Sequence, residues 1–256
     1  MYIPTLRQNG ANMKTFPRLT LTTMLAVSVL LTTGCGGNNA HSDASPSPTA
    51  LGVGIVAKGI ANDGKGDYLQ TTIADTDPAM KYNPSIADDA AKAHYSEADL
   101  TEAQKVIVKF IAEEGIDSTL NGGSGNVDGW YAAHKDEILP ANQAVMLGDL
   151  KAGKSIVATE NWMARKSGYS YVHGTDMPRV TTRTITPEKF RYLEKGSVQG
   201  VMLDTKVSYS MAVTGGTHGG VQSTTGEVSF SVAKDAADGG KWKIAGYKTA
   251  YHTTQG

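Results

Sequence analysis

Between Leu100 and Ile111 the apolar residues return at helical spacing: Leu100, Ala103, Ile107, Phe110 and Ile111 share one stripe, and Glu102, Lys105, Lys109 and Glu113 take the other side. This spacing predicts an amphipathic helix that starts at Ser96, whose side chain caps the first turn while Asp99, three residues on, approximates a capping box. It should end near Gly115, with Ile116 and Leu120 tucked in before the breaker run Asn121-Gly-Gly-Ser-Gly. A second, short helix is expected from Asp128, carrying Trp130, Tyr131, Ile138 and Leu139 up to Pro140.

Beyond about residue 155 the period changes from helical to two. Val207, Tyr209, Met211 and Val213 alternate with Lys206, Ser208, Ser210 and Ala212, and Val228, Phe230 and Val232 alternate with Glu227, Ser229 and Ser231. These are half-buried strands. Gly-rich or turn-forming runs at 215–220 and 235–240 divide them into a meander whose last strand holds Trp242 and Ile244 and then changes face at Ala245-Gly246, which predicts a bulge and a bend. Further strands are expected at Val180 to Thr186 and at Ser155 to Thr159. Helices first and strands last predict an α+β domain, with N-terminal helices packed on a bent antiparallel β-meander.

The first part of the chain follows another logic. Lys14 and Arg18 precede an apolar stretch from about Leu19 to Leu31, within the roughly 7 to 15 residues of a signal-peptide core and short of the roughly 20 that a spanning helix needs. The stretch closes on Leu30-Leu31-Thr32-Thr33-Gly34-Cys35, and no acidic residue occurs before Asp43. That pattern reads as a lipobox. Residues 1–34 are then a lipoprotein signal peptide, with Met13 an alternative start, and Cys35 is the lipidation site. Residues 35–54, rich in Gly, Asn, Ser and Pro, form a flexible lipid-anchored tether, and residues 55–256 form a single α+β domain. The expected location is the cell membrane, on its extracytoplasmic side.

Charge and cysteine usage narrow the function classes. Cleavage before Cys35 removes Arg7, Lys14 and Arg18 and no acid, so a chain of formal charge −1 becomes more acidic. A domain without a Lys/Arg block has no electrostatic footprint for nucleic acid and gains little from anionic headgroups, so its membrane contact is expected through lipid on Cys35. Cys35 is the single cysteine, which leaves no thiol for a disulfide or a metal site. His94, His134, His173, His218 and His252 show no paired spacing for zinc and read as scattered surface or capping residues. No metal and no cofactor are expected.

Two motif matches are set aside on context. Gly148-Asp149-Leu150-Lys151-Ala152-Gly153-Lys154-Ser155 matches the phosphate-loop pattern, but no βαβ alternation surrounds it, and a surface turn without nucleotide is expected. The Asp63 turn lacks the Gly and Glu that an EF-hand loop needs at its sixth and twelfth positions, where Tyr68 and Ala74 stand, and reads as a plain turn. Trp130, Tyr209, Phe230, Trp242 and Tyr247 are the candidates for lining a pocket, should the domain have one.

A long amphipathic helix, a short helical segment and a terminal bent meander closing on Lys-Trp-Lys-Ile resemble the nuclear transport factor two-like cone fold over roughly residues 95 to 252. The stretch from Asp77-Pro78 through Tyr82-Asn83-Pro84 to Phe110-Ile111-Ala112-Glu113-Glu114-Gly115-Ile116-Asp117-Ser118 also resembles uncharacterised actinobacterial lipoproteins of that group. The resemblance implies a cone-shaped sheet with a pocket. The superfamily's isomerases place an acid base and a tyrosine in the cone, and neither role maps onto a specific position here. The expectation is a non-enzymatic, lipid-anchored module that binds a small ligand or an envelope protein; the alternative is a cone-fold isomerase or hydrolase with acid and base distant in sequence.

Overall fold

The structure, a computed structural model, describes residues 51–122, 126–153, 169–215 and 220–255. Strands β1 (Ile55–Asn62) and β2 (Asp67–Ile73) form an antiparallel hairpin, and β4 (Gly174–Pro178) adds to β2 in parallel to complete a three-stranded sheet. Helices α1 (Asp89–His94), α2 (Glu97–Phe110), α3 (Val127–His134) and α4 (Pro140–Lys151) come next in the chain. The larger sheet is antiparallel. It joins β3 (Tyr169–Tyr171), β6 (Val198–Gly215), β7 (Gly220–Asp235) and β8 (Lys241–Gln255), with β5 (Val180–Lys195) sharing β6's outer edge with β3. This sheet curls into a half-barrel against the helices, an α+β arrangement.

Alternation along β6 and through most of β7 builds the concave face. Phe190, Leu203, Phe230 and Tyr247 stand opposite one another across β5, β6, β7 and β8, the first three fully buried. Helix α2 lies on this row with Phe110 edge-on to Phe230 at 5.5 Å, and Leu100, Ala103 and Ile107 sealed beneath it. Its start is the expected capping box: Ser96 Oγ accepts from the Asp99 amide, and the Asp99 carboxylate accepts from the Ser96 amide. The bend in β8 falls where the face change predicted it, because Ser231 and Val232 pair with Gly246 and Ile244 and leave Ala245 as the extra residue. Pro187 sits in edge strand β5 beside a second register shift, a position that removes no ladder bond from the sheet interior. At the β7–β8 turn Gly239 and Gly240 both take positive φ, 64° and 78°, a conformation that a side chain would strain.

Several expectations need correction. The domain opens with strands, because the stretches flanking the Asp63 turn pair as β1 and β2. Helix α2 does not run in one piece to Gly115; it ends at Phe110 and continues as a π-helical turn, Ile111–Ile116. Glu113, expected on the solvent side, is buried there. The strand beginning at Val180 is more than twice the expected length and makes the meander four-stranded. The first part of the phosphate-loop match, Gly148 to Lys151, closes helix α4, whereas a phosphate loop must precede a helix. Lys154, Ser155 and the strand expected at Ser155 to Thr159 lie outside the described residues, as does Cys35.

Candidate functional site

Polar side chains converge on the π-helical turn. Widening the helix by one residue per turn breaks the α2 stripe at Phe110, so the two consecutive glutamates turn toward β1 and α3 and not toward solvent. On β1 the register slips between Ala57 and Gly59, and the extra residue, Lys58, reaches inward. Lys58 Nζ lies 2.7 Å from Glu113 Oε2 and 3.2 Å from Glu114 Oε1. Glu113 also accepts from Thr72 Oγ1 on β2 at 2.5 Å. Glu114, 2% exposed in its side chain, accepts from Trp130 Nε1 at 2.7 Å and from Ser118 Oγ at 3.3 Å through its second oxygen. His134, the last residue of α3, brings Nε2 to 3.5 Å from Glu114 Oε1. Burial opposes the charge on Lys58, but the two carboxylates outweigh it and hold its pKa above the ordinary value.

A second ionic group continues from the same turn. Arg179, fully buried between Pro178 and Val180, donates from Nη1 to Asp63 Oδ2 at 3.0 Å, and its Nε stands 3.7 Å from Asp117 Oδ1. Its guanidinium carbon sits 3.1 Å over the Tyr68 ring and 5.3 Å from that of Tyr171. Asp63 also accepts from the Lys65 and Gly66 amides and faces His173 Nε2 at 3.1 Å. Burial pushes the Asp63 carboxyl up, but the Lys65 amide, Arg179 and His173 together hold it below its usual value. Asp117 takes two 2.7 Å hydrogen bonds from the amide and hydroxyl of Thr71. Gln70 Nε2 joins the two groups, donating to the carbonyls of both Glu113 and Asp117.

Burial pushes the Asp117 carboxyl up to about 6, against the pull of Arg179 and Thr71. Since this exceeds its ordinary value of 3.8, the folded state holds the proton more tightly than the unfolded one. Relative to an Asp117→Asn variant, the wild-type protein should therefore gain stability as pH falls from about 6 to about 4, and the difference should be flat above that window. Urea midpoints of both proteins across that range are the check, and a wild type that loses ground on acidification would contradict it.

Of the five residues expected to line a pocket, the structure brings only Trp130 to this polar cluster. Tyr209, Phe230 and Trp242 are buried in the wall of the half-barrel, and Tyr247 is half-buried with its ring 6.2 Å from that of Phe230. The Asp63 turn is more than a plain turn, since its carboxylate is the partner of a buried arginine. His134 and His173, read as scattered surface or capping residues, both face carboxylates. The local pattern held one signal for this cluster: Glu113, Glu114, Asp117, Ser118 and Asn121 interrupt an otherwise apolar stretch, without a solvent-facing period to place them.

Comparison with protein-family models, with curated proteins and with solved structures gives no match. Among the described residues no helix is long and apolar enough to cross a membrane, and no group of three or more metal-ligating side chains converges.

Proposed function

We propose that the chain is exported, cleaved before Cys35 and held at the membrane by lipid on that thiol, and that its domain is a non-enzymatic module that binds a small ligand or an envelope partner in or near the cone. The observation that supports a binding role over catalysis is the self-sufficiency of the ionic cluster. Glu113 and Glu114 are matched by Lys58 and His134, and Asp63 and Asp117 by Arg179, so the buried acids are committed to neighbouring side chains. A catalytic acid or base needs a lone pair or proton aimed at a substrate. On the concave face, α2 covers the sheet with Phe110 packed on Phe230.

The anchoring half of this reading is tested by Cys35→Ala. Because the thiol is the acyl acceptor, the variant should appear in the soluble fraction or as uncleaved precursor, and it should not incorporate labelled palmitate. Wild-type partition into the detergent phase by that variant would overturn the anchor.

A further inference from the structure

His134 is bracketed by two carboxylates. Its Nδ1 lies 3.3 Å from Glu137 Oε1, in the single 3₁₀ turn after α3, and its Nε2 lies 3.5 Å from Glu114 Oε1 on the π-helical turn. A neutral imidazole has one N–H, so it can serve only one of them and turns a lone pair toward the other; the imidazolium donates to both. The ring is also held in place, 4.7 Å from Trp130 on the preceding turn of the same helix, and it ends α3, where the helix dipole favours a cation.

We propose that His134 is a proton-operated latch: as imidazolium it ties the C-terminal end of α3 to the Glu113–Glu114 pair, and on losing its proton it releases that end and opens the acid pair to solvent. The charged groups facing it are Glu114 from the π-helical turn, Glu137 from the 3₁₀ turn and Lys58 from β1, the last with Glu113 on its far side. Burial and Lys58 disfavour the imidazolium, and Glu137 and Glu114 outweigh them, so the histidine holds its proton above its ordinary value of 6.5. The latch is therefore closed below that value and opens as pH rises through the raised one. Trp130 stays anchored in either state, because its Nε1 bond to Glu114 and its packing on Phe110 involve no titration of the histidine. The opening is confined to the last turn. The latch is a property of the fold and holds whatever the domain binds.

The test is hydrogen exchange of the full-length protein, read on backbone amides 131–138 and corrected for intrinsic rates, between about pH 5 and about pH 9, a range that spans histidine titration. Protection there should fall as His134 deprotonates, because the proton that its two carboxylate partners hold in the folded state is lost. In His134→Gln, which cannot titrate, it should stay flat at the high-pH level. Glu137, more than half exposed, can be changed with little risk to folding, and Glu137→Gln should move the midpoint to lower pH. A wild-type slope that survives in His134→Gln, flat protection in the wild type, or an unmoved midpoint in Glu137→Gln would each overturn the latch.

Discussion

Arg179→Ala is expected to cost roughly 3 to 5 kcal/mol of folding stability, the range seen when one partner of a buried ion pair is removed. The guanidinium is fully buried and is the cation nearest to both Asp63 and Asp117, which are themselves 1% and 0% exposed in their side chains. Without it two carboxylates are left in a site that water does not reach, and Tyr68 and Tyr171 lose the cation packed against them. A loss of this size is a large part of the roughly 5 to 15 kcal/mol that holds a typical domain together. Arg179→Lys should fall in between, since it restores the charge without the fork that reaches Asp63 and the Ser118 carbonyl together. Lys206→Ala is the control: its pair with Glu188 is solvent-exposed and should contribute nothing measurable. Urea unfolding of the four proteins measures this series. Near wild-type stability in Arg179→Ala would mean that the acids are not held together by this cation.

Phe110→Ala should be nearly as damaging, at about 3 to 5 kcal/mol, by removing packing in place of charge. Phe110 is the last α-helical residue before the π-helical turn, and its ring meets Phe230 at 5.5 Å and Trp130 at 6.5 Å, both edge-on. It thereby couples α2, α3 and the sheet at one point. Trp242→Ala, which empties the space beside Tyr95 at the other end of the helix, should cost a similar amount. Lys109→Ala, one residue away and 60% exposed in its side chain, should stay within about 0.5 kcal/mol of wild type. Thermal and urea unfolding separate these outcomes, and a Phe110→Ala protein with wild-type melting would show that α2 does not carry the sheet.

Two kinds of information shaped this protein, and they were legible to different degrees. Periodicity identified α2 with its capping box, the inward faces of β6 and β7 and the bend at Ala245, because each depends on residues a few positions apart whose burial is enforced by one apolar face. The β1–β2 hairpin escaped that reading. Its strands flank a turn rich in Gly and Asp, and most of β1 is exposed, so no alternation marks it. The ionic cluster escaped for a stronger reason: Lys58, Asp63, Glu114, His134 and Arg179 come from five separate segments, and charged residues in a sequence read as solvent-facing until a partner is seen. By itself the sequence determined the α+β class, the main helix and the meander. Only the tertiary structure decided which charges are buried, because burying a charge becomes affordable through a counter-charge that folding, and not the local chain, delivers.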